Sequence, residues 1–266
     1  MICKVCSAET NPFAKALVLK KYNVEYFRCD NCGTIQTEYP FWIEDAYSKA
    51  ITISDVGLVQ RNINLSKVTR TIITLLFNPK MKFIDYGGGY GLFVRIMRDH
   101  GLNFFRIDKY CENLFAKGFD ADLENNDGYE LVTAFEVFEH LLEPLDTIKE
   151  LLEISNNILF STLLIPDDNP KPEEWWYYGL EHGQHMILYT KKALTIIANR
   201  FNLNLYSKGN ELHLLTKKKI PNVLFKLAAN NHLGKWFDLF PVRYSHLEND
   251  FKDVNGIINK TKEKEN

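Results

Sequence analysis

The string Asp85-Tyr86-Gly87-Gly88-Gly89-Tyr90-Gly91 sets a carboxylate two residues ahead of a glycine run. Glycines belong where a backbone must turn tightly and let a ligand approach without Cβ clashes. A dinucleotide-binding turn reads G-x-G-x-x-G, but here the third glycine falls one place early, at Gly91, and position 92 is leucine. A pyrophosphate would be repelled by Asp85, whereas a cationic amino-acid moiety would be attracted, so the spacing favours a sulfonium nucleotide over NAD. Asp108 follows Gly91 by 17 residues, at the end of the next apolar run, where a carboxylate can accept from both ribose hydroxyls. Asp122 is placed to meet an adenine amino group.

Cys3-x-x-Cys6 and Cys29-x-x-Cys32 form two knuckles separated by 22 residues. Zinc takes four thiolates at tetrahedral corners, and each short loop supplies two. Gly33 permits the tight turn after Cys32. Structural zinc is therefore expected on Cys3, Cys6, Cys29 and Cys32, while Cys111 stands alone as a small core residue. The basic residues of this segment are nearly balanced by acids, which argues for shaping or covering a substrate rather than gripping a polyanion.

A third constellation is Trp175-Trp176-Tyr177-Tyr178-Gly179-Leu180-Glu181-His182-Gly183-Gln184-His185. Adjacent aromatics with two histidines and an acid make an acceptor pocket. Histidine has the pKa of a general base, so His182 and His185 are the candidate catalytic groups, with Glu181 to orient or polarise one of them. His140 is read as a cap or bridge near the cofactor.

These groups need elements to hold them. Apolar spacing predicts helix over much of 41–77, a strand at 81–84, the glycine turn, a helix at 92–100 and a strand at 104–107. Strands follow at 130–135 and 158–164, with a helix at 145–154 between them. A Pro-rich aromatic loop (166–183), a helix at 191–201 and strands at 203–207 and 212–216 complete the pattern. Alternation of this kind predicts an α/β fold with a mostly parallel sheet and helices on both faces. The remainder is expected to be a helical extension with a disordered tail from 261. The domain reading is a ribbon at 1–40, the α/β domain at 41–217 and the extension at 218–266.

The glycine turn, Asp108 and the segment Leu131-Val132-Thr133-Ala134-Phe135-Glu136-Val137-Phe138-Glu139-His140-Leu141 together resemble the class I SAM-dependent methyltransferase family over about residues 65–217. The resemblance implies a Rossmann-like seven-stranded sheet and S-adenosyl-L-methionine (SAM) as cofactor. It implies a cofactor set of Asp85, Gly87, Gly89, Gly91, Asp108, Asp122 and Glu136. Tyr39-Pro40-Phe41-Trp42, Asp45-Ala46-Tyr47 and Asp55-Val56-Gly57-Leu58 are similar to the region preceding the core in bacterial methyltransferases of polysaccharide and antibiotic-sugar pathways. That likeness implies O-methylation of a sugar, nucleotide-sugar or capsule precursor. Some such relatives use a Tyr-x-Glu-His element on a ketosugar for C-methylation. Tyr178-Gly179-Leu180-Glu181-His182 has one residue too many for it.

Of 266 residues 45% are hydrophobic, ample for a core, and the net charge is only −2. RNA methylation by an RNA-gripping ribbon would call for a basic stripe, which this balance disfavours. A catalytically silent zinc scaffold would fail to bind SAM. No run reaches the roughly 18 apolar residues of a membrane span, and the N-terminus lacks a signal-peptide core. Paired cysteines suit a reducing cytoplasm.

Overall fold

A computed structural model describes residues 1–48, 55–124, 128–230 and 243–265. The chain divides into two compact units, one of residues 1–54 with 134–219, the other of 55–133 with 220–266.

In the first unit β1 (Thr10–Val18), β2 (Tyr22–Cys29) and β3 (Ile35–Thr37) form an antiparallel ribbon. A distant two-residue strand, β8 (Ile187–Leu188), adds to its edge through Ile35 and Gln36. The ribbon has its own core, in which Ala16, Val18, Val24, Tyr26 and Ile35 pack with Trp42, Trp175, Tyr177 and Tyr178. A forty-residue segment is too small to bury a core unaided, and this one completes its core with the aromatic loop. Only α1 (Ile43–Ala46) is helical between Phe41 and Ser48, so the expected helix starts later; the reading over 49–54 lies outside the described residues. The same unit holds α4 (Pro144–Ile154), β7 (Asn157–Ser161), α5 (Lys191–Arg200), β9 (Asn204–Lys208) and β10 (Leu212–Thr216). β10 runs antiparallel to both β7 and β9.

In the second unit α2 (Leu58–Leu76) precedes β4 (Lys82–Tyr86), α3 (Leu92–Asp99) and β5 (Asn103–Ile107). β4 lies parallel between β5 and β6 (Tyr129–Phe135). The six-stranded sheet has the order β5-β4-β6-β7-β10-β9. Among the described residues this is the expected α/β class, with six strands in the sheet where seven were expected. Beyond β5 the next strand is reduced to one parallel bridge, Arg106 with Asp120, where Arg106 N–H donates to Phe119 O and Ala121 N–H to Arg106 O. Residues 108–119 instead wrap in turns around Asp108 and Asn113, which spends backbone donors on side-chain carboxyl and amide oxygens.

The C-terminal extension comprises α6 (Asn222–Ala228) and α7 (Leu247–Glu265). Helix continues to Glu265, so the tail expected to be disordered from 261 is helical. α7 is anchored by Asp250, which receives Arg98 Nε and Nη2 at 2.9 and 2.6 Å and Arg95 Nη1 at 2.8 Å. Burial works against the Asp250 charge, yet the two arginines hold its carboxyl below the usual range.

Candidate active site

The glycine turn leaves the C-terminal end of β4, the middle strand of its parallel trio. Gly87, Gly89 and Gly91 all hold positive φ (68°, 53° and 85°), a region costly for any residue bearing a Cβ. At Gly91 a Cβ would also meet Asn113 Oδ1 at 2.7 Å and Ala116 Cβ at 3.1 Å. Asp85 is only 4% exposed and accepts from Thr133 Oγ1 at 2.6 Å. Burial pushes its carboxyl up to about 7, against the opposing pull of Thr133 and Arg106. Asp108 closes the turn: its Oδ2 accepts from Gly89 N–H at 2.9 Å, and its Oδ1 from Tyr110 and Cys111 N–H at 2.8 Å each. Asp122 is exposed and accepts from Glu124 N–H.

Arg106 belongs to this turn but escaped the sequence reading. Buried on β5, it donates from Nε to Gly89 O at 2.6 Å, from Nη1 to Asp120 at 2.9 Å, and from Nη2 to Cys111 O. One guanidinium thus ties the glycine turn to the segment that replaces the missing strand. Its signal in sequence was a lone charge inside the apolar run Phe104-Phe105-Arg106-Ile107.

In the other unit Glu136 stands just beyond β6 at φ 53°, a strained position for a non-glycine residue. It is held there by Ser161, which accepts from the Glu136 N–H at 2.9 Å and donates its hydroxyl to Glu136 Oε1 at 2.6 Å. Two residues on, the 3-10 turn Phe138–His140 is zipped to the histidine loop, because Met186 N–H donates to Glu139 O at 2.8 Å. The result is a file of imidazoles. His140 and His185 lie 5.0 Å apart by ring centroid and His185 and His182 4.9 Å, all edge to face. His185 Nδ1 sits 2.6 Å from Tyr177 O, which fixes Nδ1 as the protonated nitrogen and leaves the Nε2 lone pair available. His182 Nδ1 accepts from Gln184 N–H at 3.1 Å, and its ring packs where a Cβ on Gly179 would stand. His140 Nδ1 is 2.9 Å from the Tyr47 hydroxyl. Burial holds both His140 and His185 below the ordinary histidine pKa; for His140 the other two rings add to it. Both are neutral at pH 7.

Glu181 is exposed. Of the loop aromatics, Trp175, Tyr177 and Tyr178 are buried and Trp176 is 76% exposed. Tyr178 packs edge to face on Tyr26 and donates to Pro170 O at 2.9 Å; the first residue of the Tyr-to-His element is thus committed to the ribbon core. The ribbon also holds the loop directly. Trp42 Nε1 donates to Gly183 O at 2.8 Å, Leu19 N–H to Leu180 O at 2.7 Å and Gln184 Nε2 to Ala46 O at 2.7 Å.

The four thiols converge at the ribbon's end. Cys3 and Cys32 are 3.5 Å apart and Cys6 and Cys29 3.4 Å, and all four sulfurs lie within 4.8 Å of one another. A tetrahedral zinc with Zn–S near 2.3 Å sets its sulfurs about 3.8 Å apart, so the donor set fits the ion. Gly33 N–H turns back to Cys29 O at 2.7 Å, and Thr190 Oγ1 donates to Cys32 O, tying this knuckle to the start of α5. Cys111 is partly buried and apart from this set, in the wrap that receives Arg106.

The model of the family described as "Methyltransferase domain" matches residues 60–208, more than half of the chain. No curated protein matches the sequence. Among solved structures the chain is similar to the plantazolicin methyltransferase BpumL in complex with SAH, at 11% identity over 65% of this chain and 94% of that one, TM-score 0.46. It is similar to human N-acetylserotonin methyltransferase at 13% identity, over 67% and 59% of the two chains, TM-score 0.43. It also resembles the bifunctional kinase-methyltransferase WbdD at 16% identity, over 69% and 43%, TM-score 0.40. The chain thus spans less than two thirds of the last two proteins. With its glycine turn, buried Asp85 and matching domain, the chain belongs to the methyltransferase-domain family and is a SAM-dependent methyltransferase.

Proposed function

We propose that the protein transfers the SAM methyl group to a hydroxyl of a small molecule, a sugar, nucleotide-linked sugar or surface-polysaccharide precursor. The observation that carries this reading is the file of imidazoles at His140, His185 and His182, in which burial holds the first two below the ordinary histidine pKa. In-line displacement breaks the sulfonium S–CH3 bond, forms an O–CH3 bond and leaves the sulfur with the electron pair as S-adenosylhomocysteine. An alcohol is a poor nucleophile until its proton is drawn off, and neutral imidazoles suit that task. His182 and His185, with Glu181 beside them in sequence, are the groups assigned to it. Asp85, Gly87, Gly89, Gly91, Asp108, Asp122 and Glu136 are assigned to the cofactor. Buried Asp85 suits the cofactor's ammonium, and the positive-φ turn suits close approach of the backbone.

Zinc on the four cysteines serves structure in this reading, and the ribbon's service is to hold the histidine loop. A commitment of Tyr178 to the ribbon core weighs against the ketosugar C-methylation alternative. The near-neutral charge weighs against RNA. No helix among the described residues is long and apolar enough to cross a membrane. The test is S-adenosylhomocysteine release with a panel of free sugars, nucleotide sugars and glycan fragments, with RNA as a separate arm. Turnover on a hydroxyl-bearing sugar supports the reading; turnover only with RNA overturns it.

A further inference from the structure

Beside the cysteine cluster the first unit holds a second set of metal-ligating side chains. One donor atom each from Glu139, His140 and His185 lies within 4.8 Å of the other two. Glu139 is fully buried, and both histidines are partly buried. Two imidazoles and a carboxylate are the donors of catalytic zinc and of open-sided first-row metal sites, where three protein ligands leave positions for an exogenous oxygen.

The groups around these three residues are those that prepare ligands. A metal-binding histidine commonly fixes its tautomer by donating its second nitrogen to a carbonyl or another outer partner. His185 Nδ1 is engaged with Tyr177 O, which leaves its Nε2 for an ion, and His140 Nδ1 lies 2.9 Å from the Tyr47 hydroxyl, an outer partner that orients the second ring. The backbone of Glu139 is fixed against the residue following His185 by the Met186 N–H bond, which holds the carboxylate to the loop. Tyr189 Oη, donating to Phe138 O at 2.9 Å, fixes the same turn from the other side. His182 stacks on His185 without belonging to the trio.

We propose that Glu139, His140 and His185 bind a divalent first-row transition-metal cation distinct from the thiolate zinc, with open coordination positions for the acceptor's oxygen. The inference deepens the methyl-transfer reading and rests on it for the acceptor. His185 then acts by holding the ion, which lowers the pKa of an oxygen bound to it, and His182 remains the ring beside the acceptor.

The test reads the ion itself. Full-length protein is stripped with chelator, reloaded with one equivalent of zinc for the thiolates and titrated with Mn²⁺, with free Mn²⁺ followed by electron paramagnetic resonance. Mn²⁺ is the weakest binder of the divalent series and leaves zinc on sulfur. One bound equivalent is expected for the wild type. His140→Gln, His185→Gln and Glu139→Gln should each weaken it at least tenfold, while S-adenosylhomocysteine binding stays unchanged and the protease resistance of residues 1–40 reports that the first unit of each variant is folded. If the buried Glu139→Gln variant does not fold, the two histidine variants decide. Mn²⁺ that stays free with the wild type, or binds the histidine variants equally well, overturns the proposal. Because no acceptor is present, a failed search for sugar methylation leaves this result standing, and the reverse holds as well.

Discussion

The glycine turn and the histidine cluster are shaped by different neighbours. Around the turn, Asp108, Arg106 and Asn113 lie within about thirty residues of Gly89 and bond directly to its backbone or to the wrap beside it. Around the cluster, the supports come from the far end of the sequence: Trp42 and Ala46 hold Gly183 and Gln184, Tyr47 meets His140, and β3 pairs with β8. A locally shaped site survives damage elsewhere. One assembled on a ribbon for which we propose a structural zinc shares that ribbon's fate. Cofactor binding and transfer should therefore be separable by mutation, and the ribbon should matter to only one of them.

The strongest break in that comparison is Cys29→Ser. Structural zinc is worth on the order of 10 kcal/mol to a small metal domain, so this variant should lose one equivalent of zinc and expose residues 1–40 to protease. Turnover should vanish while SAM affinity changes by less than about threefold. Elemental analysis, limited proteolysis and calorimetry read the three effects; a protease-resistant ribbon without metal would remove the zinc from the account.

His185→Ala attacks the cluster alone. Loss of a positioned activating group costs about 10²- to 10⁴-fold in rate, with SAM affinity intact. If turnover is retained in full, the imidazole file only packs the loop.

Gly91→Val attacks the turn alone. Positive φ at a β-branched residue costs about 1–3 kcal/mol, and the new Cβ meets Asn113 and Ala116. SAM affinity should fall roughly tenfold to a hundredfold, with the zinc content unchanged. A calorimetric isotherm like that of wild type would show that the turn does not carry the cofactor.

The smallest effect is one of pH. The Asp85 carboxyl is raised to about 7, first by burial. Its folded-state pKa lies above the unfolded value, so its contribution to stability is present at low pH and lost as pH rises through about 7. The carboxylate that would pair with the cofactor's ammonium forms over the same interval. SAM affinity should rise by up to about tenfold from pH 6 to 8, and Asp85→Asn should flatten that rise. A wild-type affinity that is level across this interval removes Asp85 from the ammonium's partners.

The contrast between the sites also explains what could be read from the sequence. Strand, glycine turn and helix are consecutive, so periodicity and the Asp85-to-Gly91 spacing place them, and the cysteine knuckles are legible for the same reason. The loop histidines were visible as residues, but their partners His140 and Glu139 lie about forty residues upstream and meet them through contacts such as Met186 N–H to Glu139 O and the His140–His185 ring pair. Arg106 looked like an interruption of a strand; its role depends on Gly89, Cys111 and Asp120 meeting one guanidinium. The seventh strand failed because a single bridge at Asp120 leaves no apolar alternation to follow, and the ribbon read as a separate module because a two-residue strand such as β8 carries no period.

We propose that SAM is bound at the locally built turn and the acceptor is activated at the separately built cluster. Calorimetric titration of wild type, Gly91→Val and His185→Ala with S-adenosylhomocysteine, and of wild type with NAD, tests it most directly. Matching S-adenosylhomocysteine isotherms are expected for wild type and His185→Ala, a much weakened one for Gly91→Val, and no NAD binding. NAD binding without S-adenosylhomocysteine binding, or loss of S-adenosylhomocysteine from His185→Ala with Gly91→Val unaffected, would contradict it.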